Sequence, residues 1–274
     1  MGGELIEHRV TLVPRTGDPR ATLVPRVGDY RPSSARTYRR SATGDSATPP
    51  VLLIHGIGMS HRYFDKLARE LSAHHDVIAL DLPGFGGTAR PAAPWDIADY
   101  ADHIVRVLGR IDVGRVIMVG HSMGAQFVTE AAARHPELAC GVVLIGPVVE
   151  ARRRSVWWQM AALLLDTPLE TPGTNAIVLA DYSRSGPRWY LTEVPAMLRY
   201  PLENRVPDIA APVLVIRGAR DPVSRSEWCH HLASRARDGQ VLEVPGQAHV
   251  VQRSAATVVA SAITAFAARV TTRP

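Results

Sequence analysis

The stretch Val116-Ile-Met-Val-Gly120-His-Ser-Met-Gly124-Ala125 joins an apolar run to a segment that reads as a helix up to Arg134. A G-x-S-x-G string between a buried strand and a helix places its serine on a strained turn with the hydroxyl exposed. Gly120 and Gly124 are needed because side chains there would collide with the neighbouring strand and helix. We therefore predict that Ser122 is a nucleophile. The alternative is a glycine-flanked turn in which the serine only caps the helix.

The composition is that of a globular protein. The chain has 274 residues, of which 46% are hydrophobic and 21% are charged, enough for one large α/β domain with an insertion. The formal net charge is +5, but the arginines are spread along the chain with no long basic run. We therefore predict no nucleic-acid partner. The two cysteines have no metal-ligand spacing, and we expect no metal.

The first residues, Met1 to His8, lack the basic and then apolar pattern of a signal peptide. No apolar run approaches the roughly 20 residues of a spanning helix. These features predict a cytoplasmic protein without a membrane span.

Short apolar runs alternate with helical patterns from residue 51 onwards. Such alternation is typical of βαβ units in a mostly parallel sheet with helices on both faces. Catalytic and binding residues in these sheets lie at the carboxyl ends of the strands. The predicted strands are Val51–His55, Val77–Leu80, Val116–Val119, Gly141–Ile145, Val213–Ile216 and Gln240–Val244.

The first 50 residues carry a weaker signal. Residues 11–18 and 22–29 are nearly the same octapeptide, and we interpret them as two short strands with Gly-Asp turns. Residues 36–40 are predicted to add an edge strand. Residues 1–35 are therefore either an N-terminal extension or the first strands of the core.

The alternation stops between residues 147 and 206, where prolines break the chain into short helices. We predict that this segment is a helical cap inserted after the strand that follows the Ser122 helix. The core would then comprise residues 1–146 and 207–274.

A serine nucleophile needs a base and a group that orients the base. Asp221 follows one late strand and His249 follows the next, so the chain order is Ser, Asp, His. That order is the one of the α/β-hydrolase arrangement. Asp81 and Glu150, which also follow strands, are weaker candidates for the acid.

The motifs resemble those of the α/β-hydrolase fold superfamily, in particular its capped serine esterases and lipases. The resemblance rests on five ordered pieces, namely His55-Gly56, Asp81-Leu-Pro-Gly-Phe-Gly86, Gly120-His-Ser-Met-Gly124, Gly218-Ala-Arg-Asp221-Pro222 and Ala248-His249. It implies Ser122 as nucleophile, His249 as general base and Asp221 as the acid that orients it. It also implies an oxyanion hole made by the backbone N–H groups of Ile57 and Met123, and no cofactor.

The expected substrate is a small molecule, and the apolar character of the cap favours small to medium hydrophobic esters or lactones. The residues that we expect to line the pocket are His121, Trp157, Trp158, Met160, Leu164, Trp189 and Val250. The cap tryptophans could instead form the core of the cap itself.

The leading hypothesis is an esterase that acts through an acyl-enzyme, as a monomer or a homodimer. Three alternatives remain open. They are acyl transfer or perhydrolysis on the same serine, C–C bond hydrolysis with Arg188 holding a carboxylate, and a slow ligand-sensing receptor on a hydrolase scaffold.

Overall fold

The computed structural model describes residues 6–12, 33–43 and 48–272. The second copy of the octapeptide and most of the first lie outside the described residues. The structure therefore has no bearing on the two short strands predicted there.

The apolar runs form one sheet of eight strands in the order β1-β2-β4-β3-β5-β6-β7-β8. Strands β3 to β8 are mutually parallel, whereas β1 and β2 run antiparallel to their neighbours. This agrees with the predicted fold. The strands are β1 Ile6–Leu12, β2 Ser33–Arg40, β3 Val51–Ile54, β4 Val77–Asp81, β5 Val116–His121, β6 Ala139–Ile145, β7 Val213–Gly218 and β8 Gly239–Val244.

Both faces of the sheet are covered because successive strand residues point to opposite sides. Leu52, Met118 and Leu144 join one apolar cluster, whereas Leu53, Val119 and Ile145 join the other. The first cluster packs under helices α2 Ile97–Arg110, α3 Met123–Arg134 and α8 Ser226–Arg235. The second packs under α1 Asp65–Leu71 and the C-terminal helices α9 Val251–Ser254 and α10 Ala256–Thr271.

The N-terminal strands correct one expectation. Residues 36–40 belong to β2, which pairs with β1 on one side and with β4 on the other, so they are not at the edge of the sheet. The edge is β1. The charged and exposed residues at the start of the chain gave no pattern that would distinguish an added strand from an extension.

The segment between β6 and β7 contains helices and turns and no strand in its fully described residues 147–206, and we call it the cap segment. An ion pair joins the two ends of the cap segment, where the Arg154 guanidinium binds the Glu203 carboxylate at 2.6 and 2.7 Å. The helices of the cap segment are α4 Val156–Asp166, α5 Pro172–Ser185, α6 Pro187–Arg199 and α7 Leu202–Arg205.

No helix among the described residues is both long enough and apolar enough to cross a lipid bilayer.

Helix α3 approaches the neighbouring strand so closely that Gly124 has no room for a side chain. A Cβ atom there would lie 2.3 Å from the carbonyl oxygen of Ile54 and 2.7 Å from that of His55. Gly173 occupies the same second position of helix α5, but a Cβ atom there would meet nothing within 4 Å. Gly173 therefore serves as a control for Gly124, since the two have the same helix position but differ in the space for a side chain.

We predict that Gly124→Ala destabilises the protein by about 1–3 kcal/mol, because overpacking outweighs the gain of up to about 1 kcal/mol in helix propensity. Gly173→Ala should leave the melting temperature unchanged or raise it, since only the propensity changes. Thermal unfolding followed by circular dichroism measures both variants. A Gly124→Ala protein that melts at or above the wild-type temperature would contradict the packing argument.

Candidate active site

Ser122 lies between β5 and α3 in a backbone conformation that side chains rarely adopt, with φ of 57° and ψ of −122°. Its N–H donates to the carbonyl oxygen of Ile145 in the neighbouring strand at 2.9 Å. At Gly120, before the turn, a Cβ atom would lie 2.2 Å from the carbonyl oxygen of Gly124, after it. The strand and the helix are therefore pressed together, and the serine side chain is lifted out of the turn.

Asp221 and His249 form a buried pair. Nδ1 of His249 lies 2.9 Å from Oδ2 of Asp221. The other carboxylate oxygen, Oδ1, accepts the N–H groups of Val223 at 2.7 Å and of Ser224 at 2.9 Å. These two amides hold the carboxylate in place, so the Nδ1–H of the imidazole donates to it and Nε2 is left for other chemistry.

Ser122 and His249 line the same cavity, which has a volume of about 110 Å³ and lies between the sheet and the cap segment. The loop after β3 passes close to the serine, because a Cβ atom on Gly56 would lie 3.4 Å from its Oγ. Apart from these groups, the lining is largely apolar or neutral. It includes Ile57, Met59, Leu163, Val178, Met197 and Val223.

A buried chain of hydrogen bonds joins the loop after β3 to the backbone of His249. The N–H of Gly56 donates to the Tyr63 hydroxyl at 3.1 Å, and that hydroxyl is bonded to Nδ1 of His121. Nε2 of His121 is 3.0 Å from the carbonyl oxygen of His249, to which it donates. Burial, with a smaller contribution from His249, lowers the pKa of His121 well below its usual value. His121 is therefore a neutral link in this chain.

Two buried carboxylates of the cap segment bind the backbone of the His249 loop. Oδ1 of Asp166 accepts the N–H of His249 at 2.9 Å, and Oε1 of Glu170 accepts the N–H of Val250 at 2.7 Å. Burial raises the pKa of both carboxyl groups. Neither residue was predicted from the sequence, in which they occur as ordinary polar residues around a helix end.

These carboxylates also act on the imidazole. Burial by itself would lower the pKa of His249, but Asp221, with contributions from Asp166 and Glu170, raises it to about 9. Protonation of His249 is thus more favourable in the folded than in the unfolded chain. This contribution to stability is complete below the ordinary histidine pKa and is lost as the pH rises through about 9.

The predicted oxyanion donors have compatible positions. Met123 is the first residue of α3, so its N–H has no partner within the helix. Ile57 lines the cavity next to Gly56. Met123 thus follows Ser122 in the chain and Ile57 lines the same cavity, and the oxyanion role of both N–H groups stays a prediction.

The two weaker candidates for the acid have other partners. Asp81 accepts the N–H of His61 at 2.7 Å and pairs with its imidazole at 3.0 Å. Glu150 pairs with Arg153 at 3.6 Å and with Arg225 at 3.9 Å. Neither carboxylate is bonded to His249.

The expected pocket residues separate into three groups. His121 and Val250 line the cavity. Trp189 is buried elsewhere, against the loop after β4, where a Cβ atom on Gly84 would lie 2.3 Å from its Nε1. The structure places four side chains outside the cavity, on the outer surface of α4, with exposed fractions of 77% for Trp157, 52% for Trp158, 48% for Met160 and 71% for Leu164.

Helix geometry explains this correction. Residues 159, 163 and 166 recur at spacings of three and four and therefore share one side of α4. That side carries Gln159, Leu163 and Asp166 and faces the cavity. The large apolar residues between them, Met160, Leu164 and Leu165, are exposed instead. Hydrophobicity alone thus selected the wrong side of the helix.

No group of three or more His, Cys, Asp or Glu side chains in the described ranges is arranged to hold a metal ion.

Two family models match the chain, each over a different part of it. A family model described as alpha/beta hydrolase fold matches residues 49–166, and a second, described as TAP-like protein, matches residues 188–272. Together they span strands β3 to β8, the Ser122 turn and the loops that carry Asp221 and His249.

Curated relatives and solved structures agree with these matches. The chain is 27% identical to (E)-2-((N-methylformamido)methylene)succinate hydrolase of Acinetobacter baylyi, over 79% of this chain and 89% of that one. It is 28% identical to the pimeloyl-[acyl-carrier protein] methyl ester esterase of Neisseria meningitidis, over 78% and 91%. A thermophilic esterase from Thermogutta terrifontis has the same fold, with a TM-score of 0.74, 18% identity and coverage of 96% and 99%.

We predict that Glu170→Gln and Asp166→Asn each lower the pKa of His249, because each removes a negative charge while keeping an oxygen that can accept the backbone N–H. The measurement is an NMR titration of the imidazole in the full-length protein. Asp181→Asn is the matched control, since this buried cap carboxylate binds Ser60 at 2.7 Å and is not bonded to the His249 loop. A His249 pKa that equals the wild-type value in both variants would show that the cap carboxylates do not act on the ring.

Proposed function

Because the chain belongs to the α/β-hydrolase superfamily, we propose that it is a serine hydrolase that cleaves carboxylic esters through an acyl-enzyme. One observation carries this proposal. Ser122, on its strained turn, shares a cavity with His249, whose other ring nitrogen is held by the buried Asp221. Such a set activates a hydroxyl that is otherwise a poor nucleophile at neutral pH.

The first half of the reaction forms the acyl-enzyme. Oγ of Ser122 attacks the carbonyl carbon of the ester and gives its proton to Nε2 of His249, which acts in its neutral form, the form that predominates above about pH 9. The N–H groups of Met123 and Ile57 stabilise the resulting oxyanion, at about 3–4 kcal/mol for one such donor. When the tetrahedral intermediate collapses, the protonated imidazole gives its proton to the departing alcohol.

The second half of the reaction releases the acid. A water molecule gives a proton to Nε2 as it attacks the acyl carbon, and the imidazole then returns that proton to Oγ of Ser122. Asp221 stays ionised throughout and stabilises the imidazolium that forms twice in each cycle. The reaction consumes one ester and one water, and it yields one acid and one alcohol.

The charge of the cavity limits the substrate class. Among the described residues that line it, none is Arg or Lys, whereas Asp166 and Glu170 both contribute carboxylates. Arg188, which could have held a carboxylate, is exposed. A carboxylate on the substrate would therefore face Asp166 and Glu170 with no Arg or Lys to balance them, and we propose neutral esters or lactones. This sets the chain apart from the Acinetobacter baylyi relative, which is named for a succinate derivative.

We predict that Ser122→Ala lowers kcat for p-nitrophenyl butyrate by about 10⁴-fold or more and abolishes labelling by a fluorophosphonate probe, because the attacking oxygen is gone. Melting curves check that the variant is folded. Equal rates for the variant and the wild type would remove Ser122 from the mechanism. Adding a competing alcohol and analysing the products separates hydrolysis from acyl transfer.

A second prediction concerns substrate charge. The butyrate and hemisuccinate esters of p-nitrophenol have acyl groups of equal length, but the second ends in a carboxylate. We expect kcat/KM to be roughly 100-fold higher for the butyrate, since a like charge in a partly desolvated site costs several kcal/mol. Glu170→Gln should lower the ratio of kcat/KM for the butyrate to kcat/KM for the hemisuccinate. A preference for the hemisuccinate would exclude the neutral-ester assignment while leaving the serine mechanism intact.

A further inference from the structure

Helix α4 exposes a continuous apolar surface to solvent. Seven of the eleven large apolar side chains that the described residues expose come from residues 156–169. We call these seven the apolar cap face. They are Val156, Trp157, Trp158, Met160, Leu164, Leu165 and Leu169. Exposed apolar patches of this kind mark a surface that is covered in function.

The arrangement along the helix is strongly two-sided. The opposite side of α4 faces the cavity and carries the buried Asp166. The exposed side has no charged residue between Ser155 and Asp166. An 11-residue helix is about 16 Å long, so this side presents a flat apolar strip of that length.

The exposed charged residues between residues 151 and 199 all have the same sign. In residues 151–199 the acidic side chains are Asp166, Glu170, Asp181 and Glu193, and all four are buried. The exposed charged residues of the same range are Arg152, Arg184, Arg188 and Arg199. Arg153 lies over the ring of Trp158, at 4.6 Å from its centroid. Residues 151–199 therefore present apolar and cationic groups to solvent and no exposed carboxylate.

This charge distribution decides between possible occupants. A second copy bound through the same face would bring arginines of both copies together, because a two-fold contact pairs each surface with itself. Residues 151–199 offer no exposed carboxylate to neutralise them. An anionic lipid surface supplies both missing partners, namely phosphate groups for the arginines and an apolar layer for the tryptophans and leucines.

We propose that the apolar cap face docks on the surface of an anionic lipid bilayer, with α4 lying flat in the headgroup region. Tryptophan is suited to this depth because its ring is apolar and its N–H is polar. The docked helix would stand between the lipid and the cavity of Ser122. Docking itself requires no catalytic residue and does not rest on the proposed function.

The test is co-sedimentation of the full-length protein with vesicles. The vesicles contain either phosphatidylcholine alone or an equimolar mixture of phosphatidylcholine and phosphatidylglycerol. The wild type should bind the mixed vesicles, bind the neutral ones more weakly, and be released by high salt. Ser122→Ala should bind like the wild type, so that a failure of the proposed chemistry leaves this result unchanged.

The double variant Trp157→Ser with Leu164→Ser removes two of the most exposed apolar side chains, and we expect it to bind at least about tenfold more weakly. Its hydrolysis of a soluble short-chain ester should not change. Val258→Ser is the matched control, because this residue is also exposed, at 49%, but lies on α10 of the core. Arg152→Glu should weaken binding to the mixed vesicles only.

Three results would overturn the proposal. They are a wild type that binds neither vesicle, a double variant that binds as well as the wild type, and a dimer that forms through this face without vesicle binding. Sedimentation velocity detects the dimer, which would dissociate in the double variant.

Discussion

The strained backbone of Ser122 is held between the centre of the sheet and the start of α3, and the rest of the site is placed around it. A non-glycine residue adopts such a conformation at a cost of about 1–3 kcal/mol. The hydrogen bond to Ile145 in β6 and the contact of Gly120 with the turn offset that cost. Because β5 and β6 are central strands, the position of the serine hydroxyl is as rigid as the sheet.

The carboxylates of the cap segment and the His249 loop interact both through hydrogen bonds and through charge. Asp166 and Glu170 bind the backbone of His249 and Val250, and the same carboxylates favour the protonated imidazole. On the other side, Tyr63 and His121 connect the loop after β3 to the carbonyl of His249. Moving α4 away would therefore change the position of the loop and the affinity of the ring for a proton at the same time.

Much of the fold could be predicted because buried parallel strands leave a clear pattern. Six apolar runs gave six of the eight strands to within two residues, and the residues that follow them gave Ser122, Asp221 and His249. The pattern failed where burial is partial. Strand β2 is interior through its backbone pairing, which its mixed sequence does not show. The C-terminal helical segment is also divided into α9 and α10 at Ala255, where no Gly or Pro marks the break.

The sequence by itself determined the strand order along the chain, the serine turn and the identity of the three residues that the strands bring to one edge. The local periodicity of apolar residues and the positions of the glycines suffice to predict these features, since each feature depends on residues that are close in the sequence. Only the tertiary structure decided which side of α4 faces the cavity, because both sides carry apolar residues and the packing partner makes the choice. Only the tertiary structure revealed that Asp166 and Glu170 bind the backbone at His249 and Val250. These residues are about 80 positions apart in the chain, so no local sequence pattern indicates the contact.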